Sequence, residues 1–416
     1  MIKIKYLYLA GIISCFIGEI YTVRVFGLFE LFPLRLILIL AIPLILIKPY
    51  KGKSRIWRFA VRLFIGMFIY GITSLIWSPD PLLGLKQFQL LFVGVMIIFL
   101  VSHYVKDISS LKNIMIIWSI VSVISSLLAF YEILNGEYLF SHVTDYGAWK
   151  IESTRILSIG WLTPRVFFPG PNEFAFFNSI SALLMLGWAF ETQKTYRVVA
   201  FIATSLSIIL VINSFSRAAI FGLIIGLLFF MFILSTKTKF YFRFFSISLI
   251  LCISIYAIYS GKKFIDNNLA LTMLVNKIEN DPNSIRIKYY NSAIVEGTIG
   301  SLGFGRGLGA SSEIIDGGSY HHYLLEILAE FGFWIFLGYL TLMAKICIQL
   351  RRAINHRRYV FWSAGLLASC IAFPVLCAGP ASLSYLYPFW LWLAFIIAYT
   401  DYDFSLMTRK LNKVVL

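Results

Sequence analysis

Long apolar runs recur along this chain almost without interruption, from Ile4 to Tyr399. Each run has about 17 to 25 residues, which is enough for a helix to cross roughly 30 Å of hydrocarbon. A backbone within lipid has to satisfy its own hydrogen bonds, so helices are the expected spanning elements. The composition agrees, because 59% of the residues are hydrophobic and 13% are charged, against roughly 45 to 50% and about 25% in soluble domains. The pattern predicts an all-α polytopic membrane protein.

The hydropathy pattern predicts about twelve transmembrane helices within a single membrane domain, residues 1–416. We place the spans near residues 4–19, 31–47, 59–77, 85–102, 113–134, 172–190, 197–213, 216–234, 242–260, 322–349, 359–379 and 384–401. If the amino terminus is cytoplasmic, basic clusters such as residues 48–58 and 351–358 fall in short inner loops, in agreement with the positive-inside rule. Both termini are then cytoplasmic, and two long loops, residues 135–171 and 261–320, lie on the outer side of the plasma membrane.

The positive charge of the chain is explained by this topology. Its formal net charge of +16 resides mostly in short cytoplasmic loops, which face anionic lipid head groups rather than nucleic acid. The five cysteines all lie within apolar segments, where cysteine behaves as a small hydrophobic residue. They predict neither a disulfide framework nor a metal site. The bilayer is therefore an expected partner, and nucleic acid is not.

The segment from Gly303 to Gly338 joins a polar, glycine-rich loop to a strongly apolar helix. We expect the loop, up to Gly318, to approach a substrate closely and to move. Ser319 is a suitable cap for the helix, which places His321 in the first helical turn at the outer membrane boundary. The positive end of a helix dipole disfavours an imidazolium, so a neutral His321 could accept a proton there. The alternative is an interfacial histidine that only hydrogen-bonds nearby backbone.

His322, Glu326 and Glu330 follow at spacings of four residues, on one face of the same helix. Such a set could bind a metal ion. We favour a different role, in which the two carboxylates form salt bridges with arginines or orient the histidine, because unpaired charges are costly in lipid.

Four arginines fall on the outer side of the predicted topology: Arg165, Arg217, Arg286 and Arg306. A guanidinium group can bind phosphate through two parallel hydrogen bonds, and several around one pocket would hold a pyrophosphate. The alternative for Arg165 and Arg217 is that they reach to lipid head groups or pair with carboxylates. For Arg286 and Arg306 the sequence allows two roles, contact with substrate or scaffolding of the large loop.

Several motifs occur in the order seen in one superfamily of membrane enzymes. They read RVFFPGPNEFA, SFSRAAIFGL, SIRIKYYNSAI, GFGRGLG and YHHYLLEILAEFGFWIFL. With these motifs the chain resembles the bacterial O-antigen ligase and Wzy polysaccharide polymerase superfamily. The motifs cover roughly residues 160–345, and the pattern of spans extends the resemblance over most of the chain. Alignment on Glu330 and Gly332 makes His321 the family histidine, and His322 then stands where the family usually has asparagine.

The resemblance implies a glycosyltransferase on the outer face of the plasma membrane that needs neither metal nor cofactor. Its donor would be an oligosaccharide on undecaprenyl diphosphate, and its acceptor a second glycan. His321 would be the catalytic base, and the donor pyrophosphate would be bound by Arg165 and Arg217, with Arg286 as a further candidate. Arg306, His322 and Glu326 complete the predicted substrate-binding residues. Other polysaccharide assembly proteins are candidate partners.

The resemblance leaves the acceptor open. A polymerase adds the glycan to another lipid-linked repeat unit, whereas an O-antigen ligase adds it to lipid A core or another wall acceptor. We favour the polymerase, because it is the commoner occupant of capsule and exopolysaccharide pathways. The alternative of another class is a transporter of lipid-linked oligosaccharide. Transporters typically have charged or broken helices near the bilayer centre, whereas the polar residues of this chain gather at the outer boundary.

Overall fold

The computed structural model describes residues 2–18, 23–25, 29–47, 50, 52, 54–140, 162–237, 283–311, 320–357 and 359–415. The helices of this part are α1 Ile2–Ile17, α2 Pro33–Ile47, α3 Arg55–Ser74, α4 Pro81–Tyr104, α5 Ile108–Asn135, α6 Pro171–Ala189, α7 Lys194–Asn213, α8 Arg217–Lys237, α9 Asn283–Gly297, α10 Tyr323–Asn355, α11 Val360–Leu376 and α12 Tyr387–Val415. One antiparallel hairpin, β1 Val23–Val25 and β2 Phe29–Leu31, connects α1 to α2.

Six helices of the described part are long and apolar enough to cross a membrane: α3, α4, α5, α7, α8 and α10. Apolar stretches of α1, α2 and α11 are shorter. These helices confirm a polytopic, mainly helical membrane protein. The number of about twelve spans and the large outer loop stay predictions, because the span at 242–260 and half of the loop at 261–320 lie outside the described residues.

Helix α6 lies in the centre of the structure. Every residue from Glu173 to Ala189 is buried, because α5, α7, α8 and α11 all pack around this helix. It approaches α11 closely, since a side chain carbon added to Gly187 would stand 2.6 Å from the Phe361 carbonyl oxygen and 2.9 Å from the Gly365 Cα. Small residues at such a crossing let two helix backbones meet, as is common in membrane proteins.

Helix α10 breaks at Gly332, whose φ of 79° and ψ of 177° are not helical. Part of the glycine-rich loop fills the break. The backbone N–H groups of Arg306 and Gly307 donate to the carbonyl oxygens of Ala329 and Glu330, at 2.9 and 3.0 Å. The loop therefore satisfies carbonyl groups that the broken helix leaves without their intrahelical partners.

The described part of this loop is a packed element, and the movement expected of the loop stays a prediction. A side chain carbon on Gly305 would lie 2.5 Å from the backbone nitrogen of Gly332, and one on Gly309 would lie 2.6 Å from that of Gly84. The hydroxyl of Ser78 also donates to the Leu308 carbonyl oxygen at 2.6 Å. The glycines here permit contact between backbones of the protein itself, and residues 312–319 lie outside the described residues.

Candidate functional site

The connection between α11 and α12, residues 377–386, brings the first turns of three helices together. We call it the α11–α12 loop. Glu173, in the first turn of α6, accepts hydrogen bonds from the Ala381 backbone nitrogen at 3.0 Å and the Tyr385 hydroxyl at 2.8 Å, both at Oε1. The carboxylate is 3% exposed, so these bonds supply the polar partners that a buried charged group requires.

Glu326, in the first turn of α10, holds the same loop from another side. Its Oε1 atom accepts hydrogen bonds from the hydroxyl groups of Ser382 at 2.7 Å and Ser384 at 3.2 Å. The two carboxylates, Glu173 and Glu326, thus bind four of the five residues 381–385 of the loop between two helices. These bonds give the chain a rigid polar surface at the end of the bundle where α6 and α10 begin.

Helix α8 begins beside this loop. A side chain carbon on Gly379 would stand 3.4 Å from both the Ser216 hydroxyl oxygen and the Ala218 Cβ. Arg217 lies between those two residues as the first residue of α8, and its side chain is exposed. The turn from α7 to α8 has three residues, 214–216, and the predicted spans left two. The structure therefore places Arg217 next to the α11–α12 loop.

The two histidines precede α10 instead of lying within its first turn. The helix begins at Tyr323 with His322 as its N-cap, and the expected cap, Ser319, lies outside the described residues. His321 adopts a left-handed conformation with a φ of 49°, which is uncommon for a residue other than glycine. The prediction that His321 occupies the first turn was therefore wrong, because α10 begins three residues later than predicted and His321 lies just before it.

The His322 ring is held by two elements. Its Nδ1 atom lies 3.7 Å from the Cys377 Sγ at the start of the α11–α12 loop. The Tyr290 ring of α9 meets it edge to face, with 5.8 Å between ring centroids. Burial lowers the pKa of the His322 imidazole below its ordinary value, which keeps the ring neutral at physiological pH.

We expect acid to destabilise the protein through His322. The unfolded imidazole takes up a proton near pH 6.5, whereas burial lowers its pKa in the folded protein. The unfolded state therefore binds more protons than the folded state. The contribution of His322 to the free energy of unfolding is present above the pKa of the unfolded imidazole and is lost as the pH falls below that pKa. Thermal unfolding in detergent, at about pH 7.5 and about pH 5.5, measures the loss. His322→Gln should lose less stability than wild type, and equal losses would contradict this expectation.

The predicted set of His322, Glu326 and Glu330 is divided among different partners. His322 faces Cys377 while Glu326 faces serine hydroxyls. Glu330 is buried against the hydroxyl and backbone of Ser311 in the glycine-rich loop. Within the ranges that the structure describes, no three His, Cys, Asp or Glu side chains are grouped to hold a metal ion.

Arg165 lies between the end of α5 and the start of α6. Its guanidinium stacks on the Tyr138 ring at 4.3 Å. Its backbone nitrogen and that of Val166 donate to Glu132 Oε2 at 3.0 and 2.9 Å. Burial lowers the pKa of the Arg165 guanidinium. The residue is therefore a fixed, buried cation at the end of the bundle where Glu173 binds the α11–α12 loop.

The other two predicted arginines belong to the large loop. Arg306 forms an ion pair with Glu296 of α9, with 2.5 Å between Nε and Oε2, and its side chain is 50% exposed. This contact favours the scaffolding alternative, because it ties the glycine-rich loop to α9. Arg286 lies in α9, and its side chain is outside the described part of the chain.

A narrow pocket opens beneath the α11–α12 loop. Its polar lining comes from Gln87, Tyr323, Glu326 and Ser384, and Leu308 and Phe331 are among its apolar lining residues. Sequence reasoning had singled out only Glu326 of this set. For Ser384 the signal was the polar stretch PASLSY between two apolar runs, whose last two residues fell within the predicted span at 384–401.

The fold and this site define a polytopic membrane protein with a polar, cation-bearing surface at one end of its helices. No protein-family model matches the chain. It is similar to the teichuronic acid biosynthesis protein TuaE of Bacillus subtilis (strain 168), with 27% identity over 414 residues. The match covers 93% of this chain and 82% of TuaE.

Proposed function

We propose that this protein assembles a cell-surface polysaccharide as a membrane glycosyltransferase of the polymerase type. The observation that carries the proposal is the convergence of His322, Arg217 and two buried carboxylates around the α11–α12 loop, with His321 next to His322 in the chain. The similarity to a teichuronic acid biosynthesis protein supports a role in polysaccharide assembly. The donor we propose is a glycan on undecaprenyl diphosphate, and the acceptor is the glycan of a second lipid-linked repeat unit.

In this mechanism His321 takes the proton from the attacking hydroxyl of the acceptor sugar. The hydroxyl oxygen forms a bond to the anomeric carbon, and the bond from that carbon to the diphosphate breaks. Attack occurs opposite the leaving group, so the configuration of the anomeric carbon is inverted. The diphosphate leaves with the electron pair and stays on its polyprenyl lipid.

The arginines stabilise the leaving group. Negative charge grows on the diphosphate as the glycosidic bond breaks, and fixed guanidinium groups stabilise that charge most at the transition state. Arg217 is exposed beside the α11–α12 loop, so it can reach a substrate. Arg165 is more constrained by Tyr138, and we propose it as a fixed positive charge near the lipid-linked end of the donor.

We expect Arg217→Lys to reduce polymer synthesis at least about tenfold, because an ammonium group cannot make the bidentate contact of a guanidinium. Polymer made by cells that lack the native gene and carry the variant is measured on gels, with membrane levels of protein compared by blotting. Arg197→Lys, at the start of α7, is the matched control and should leave synthesis near the wild-type level. Full synthesis by Arg217→Lys would show that the residue does not bind phosphate in this way.

The ligase alternative shares the donor and the chemistry proposed above. Product length separates the two activities, because a polymerase gives a ladder of repeat units and a ligase gives one transfer to each acceptor. The polymerase remains the first proposal, because polymerases are commoner than ligases in capsule and exopolysaccharide pathways.

The transporter alternative gains one observation, since α10 is broken at Gly332 and broken helices are typical of transporters. In this chain, however, the break is filled by backbone of the glycine-rich loop. The Tyr70 hydroxyl also donates to the Glu330 carbonyl oxygen at 2.9 Å. The carbonyl groups at the break thus accept hydrogen bonds from the protein itself and are not left for a transported substrate. This favours the enzyme over the transporter.

A further inference from the structure

Two of the polar neighbours of the Cys377 sulfur together restrict where protons can lie, and the backbone N–H groups of Tyr323 and Leu324 also face the sulfur. It is 3.3 Å from the Pro374 carbonyl oxygen and 3.7 Å from His322 Nδ1. Cys377 is fully buried, and its own carbonyl oxygen accepts a hydrogen bond from the Tyr323 backbone nitrogen at 3.2 Å. The thiol and the imidazole are therefore held in place by the ends of α11 and α10.

The two contacts can form together in only one protonation pattern. A carbonyl oxygen accepts hydrogen bonds but cannot donate them, so the single thiol proton points to Pro374. The sulfur must then accept from His322, and a neutral imidazole that carries its proton on Nδ1 has a lone pair on Nε2. In this way a partner of one ring nitrogen determines the role of the other.

We propose that Cys377 is a positioning residue that fixes His322 in its Nδ1-protonated tautomer, so that Nε2 accepts a hydrogen bond from a sugar hydroxyl. The use of this bond rests on the proposed function. A hydroxyl can donate to Nε2, whereas the oxygens of an ionised diphosphate are acceptors and are disfavoured there. His322 thus recognises the glycan, and the diphosphate belongs to the arginines.

The surroundings of His322 agree with a neutral ring that acts as an acceptor. Among the described residues, the ring contacts the Tyr290 ring on α9 and the Cys377 thiol beyond α11, and neither carries a charge at neutral pH. Glu326, one turn along α10, is directed to Ser382 and Ser384. Burial also lowers the pKa of His322, which favours the neutral state that this role requires.

The tautomer can be measured without any substrate. Purified full-length protein labelled with ¹⁵N-histidine is studied by NMR, and the His322 signals are assigned by their loss in His322→Gln. We expect the Nδ1-protonated form in wild type and in Cys377→Ser, whose hydroxyl can still accept. We expect loss of that form in Cys377→Ala. An Nε2-protonated ring in wild type, or an unchanged tautomer in a folded Cys377→Ala protein, would overturn the proposal.

The recognition of a hydroxyl is tested with lipid-linked repeat units isolated from cells that lack the gene. We expect Cys377→Ala to raise the KM for the acceptor about tenfold, the effect of one lost hydrogen bond, with a smaller change in kcat. Cys377→Ser should restore the wild-type KM for the acceptor. Cys370 is a buried cysteine of α11, and Cys370→Ala should leave this KM unchanged. An unchanged KM in Cys377→Ala with the tautomer lost would refute the hydroxyl contact. No transfer by wild type, with the tautomer as expected, would refute the proposed function and leave the positioning role standing.

Discussion

Gly332→Ala is expected to prevent most of the protein from folding. Its φ of 79° and ψ of 177° lie in a region that is essentially restricted to glycine. Any side chain carbon at this position would overlap the Gly303 carbonyl oxygen and the Gly305 backbone nitrogen. The strained dihedral angles cost on the order of 1 to 3 kcal/mol, and displacement of the loop adds several lost hydrogen bonds of about 1 kcal/mol each.

The yield of monodisperse protein after size exclusion in detergent measures this effect, together with the midpoint of thermal unfolding. Gly66→Ala is the matched control, because a side chain carbon on Gly66 of α3 meets no atom within 4 Å. We expect near wild-type yield for the control and little or no folded Gly332→Ala protein. A Gly332→Ala variant with wild-type yield and unfolding midpoint would show that the break in α10 is not needed for folding.

His321→Ala is expected to lower the rate of glycan transfer by about 10²- to 10⁴-fold, the range of a lost general base. The acceptor hydroxyl would then keep its proton during attack. Folding should be unaffected, because the residue lies before α10 and is partly exposed. The rate is measured with purified variants on lipid-linked repeat units, and His356→Ala, an exposed histidine at the other end of α10, serves as control.

The variant His322→Ala decides between the two neighbouring histidines. If His322 only accepts a hydrogen bond from the glycan, its loss should raise the KM for the acceptor and leave much of kcat intact. If His322→Ala abolished transfer and His321→Ala retained it, the catalytic base would be His322 and not His321.

Hydropathy predicted the helices better than their ends. The span expected at 85–102 is α4, Pro81–Tyr104, and the span expected at 113–134 is α5, Ile108–Asn135. Both helices begin earlier because Asp80 and Asp107 cap them, each accepting a hydrogen bond from a backbone nitrogen three residues later. An apolar window does not register such caps, which are polar and local.

The sequence predicted the site residues that lie at helix starts, but it did not predict the loop at the centre of the site. The positions of Arg217 and of the histidines near helix starts followed from the alternation of apolar and polar segments. The α11–α12 loop did not, because its partners, Glu173 and Glu326, are 208 and 56 residues away from Ala381 and Ser382. The break at Gly332 has the same origin, since it depends on a loop that precedes the helix and packs against it.

The most direct test is transfer by the purified protein. Repeat units on undecaprenyl diphosphate, isolated from cells without this gene, are incubated with the protein in detergent and EDTA, and the glycans are resolved on a gel. We expect a ladder of lengthened glycans from wild type and none from His321→Ala. If wild type forms no new glycosidic bond with any acceptor but moves the lipid-linked glycan across liposome membranes, the protein is a transporter and the proposed enzyme is wrong.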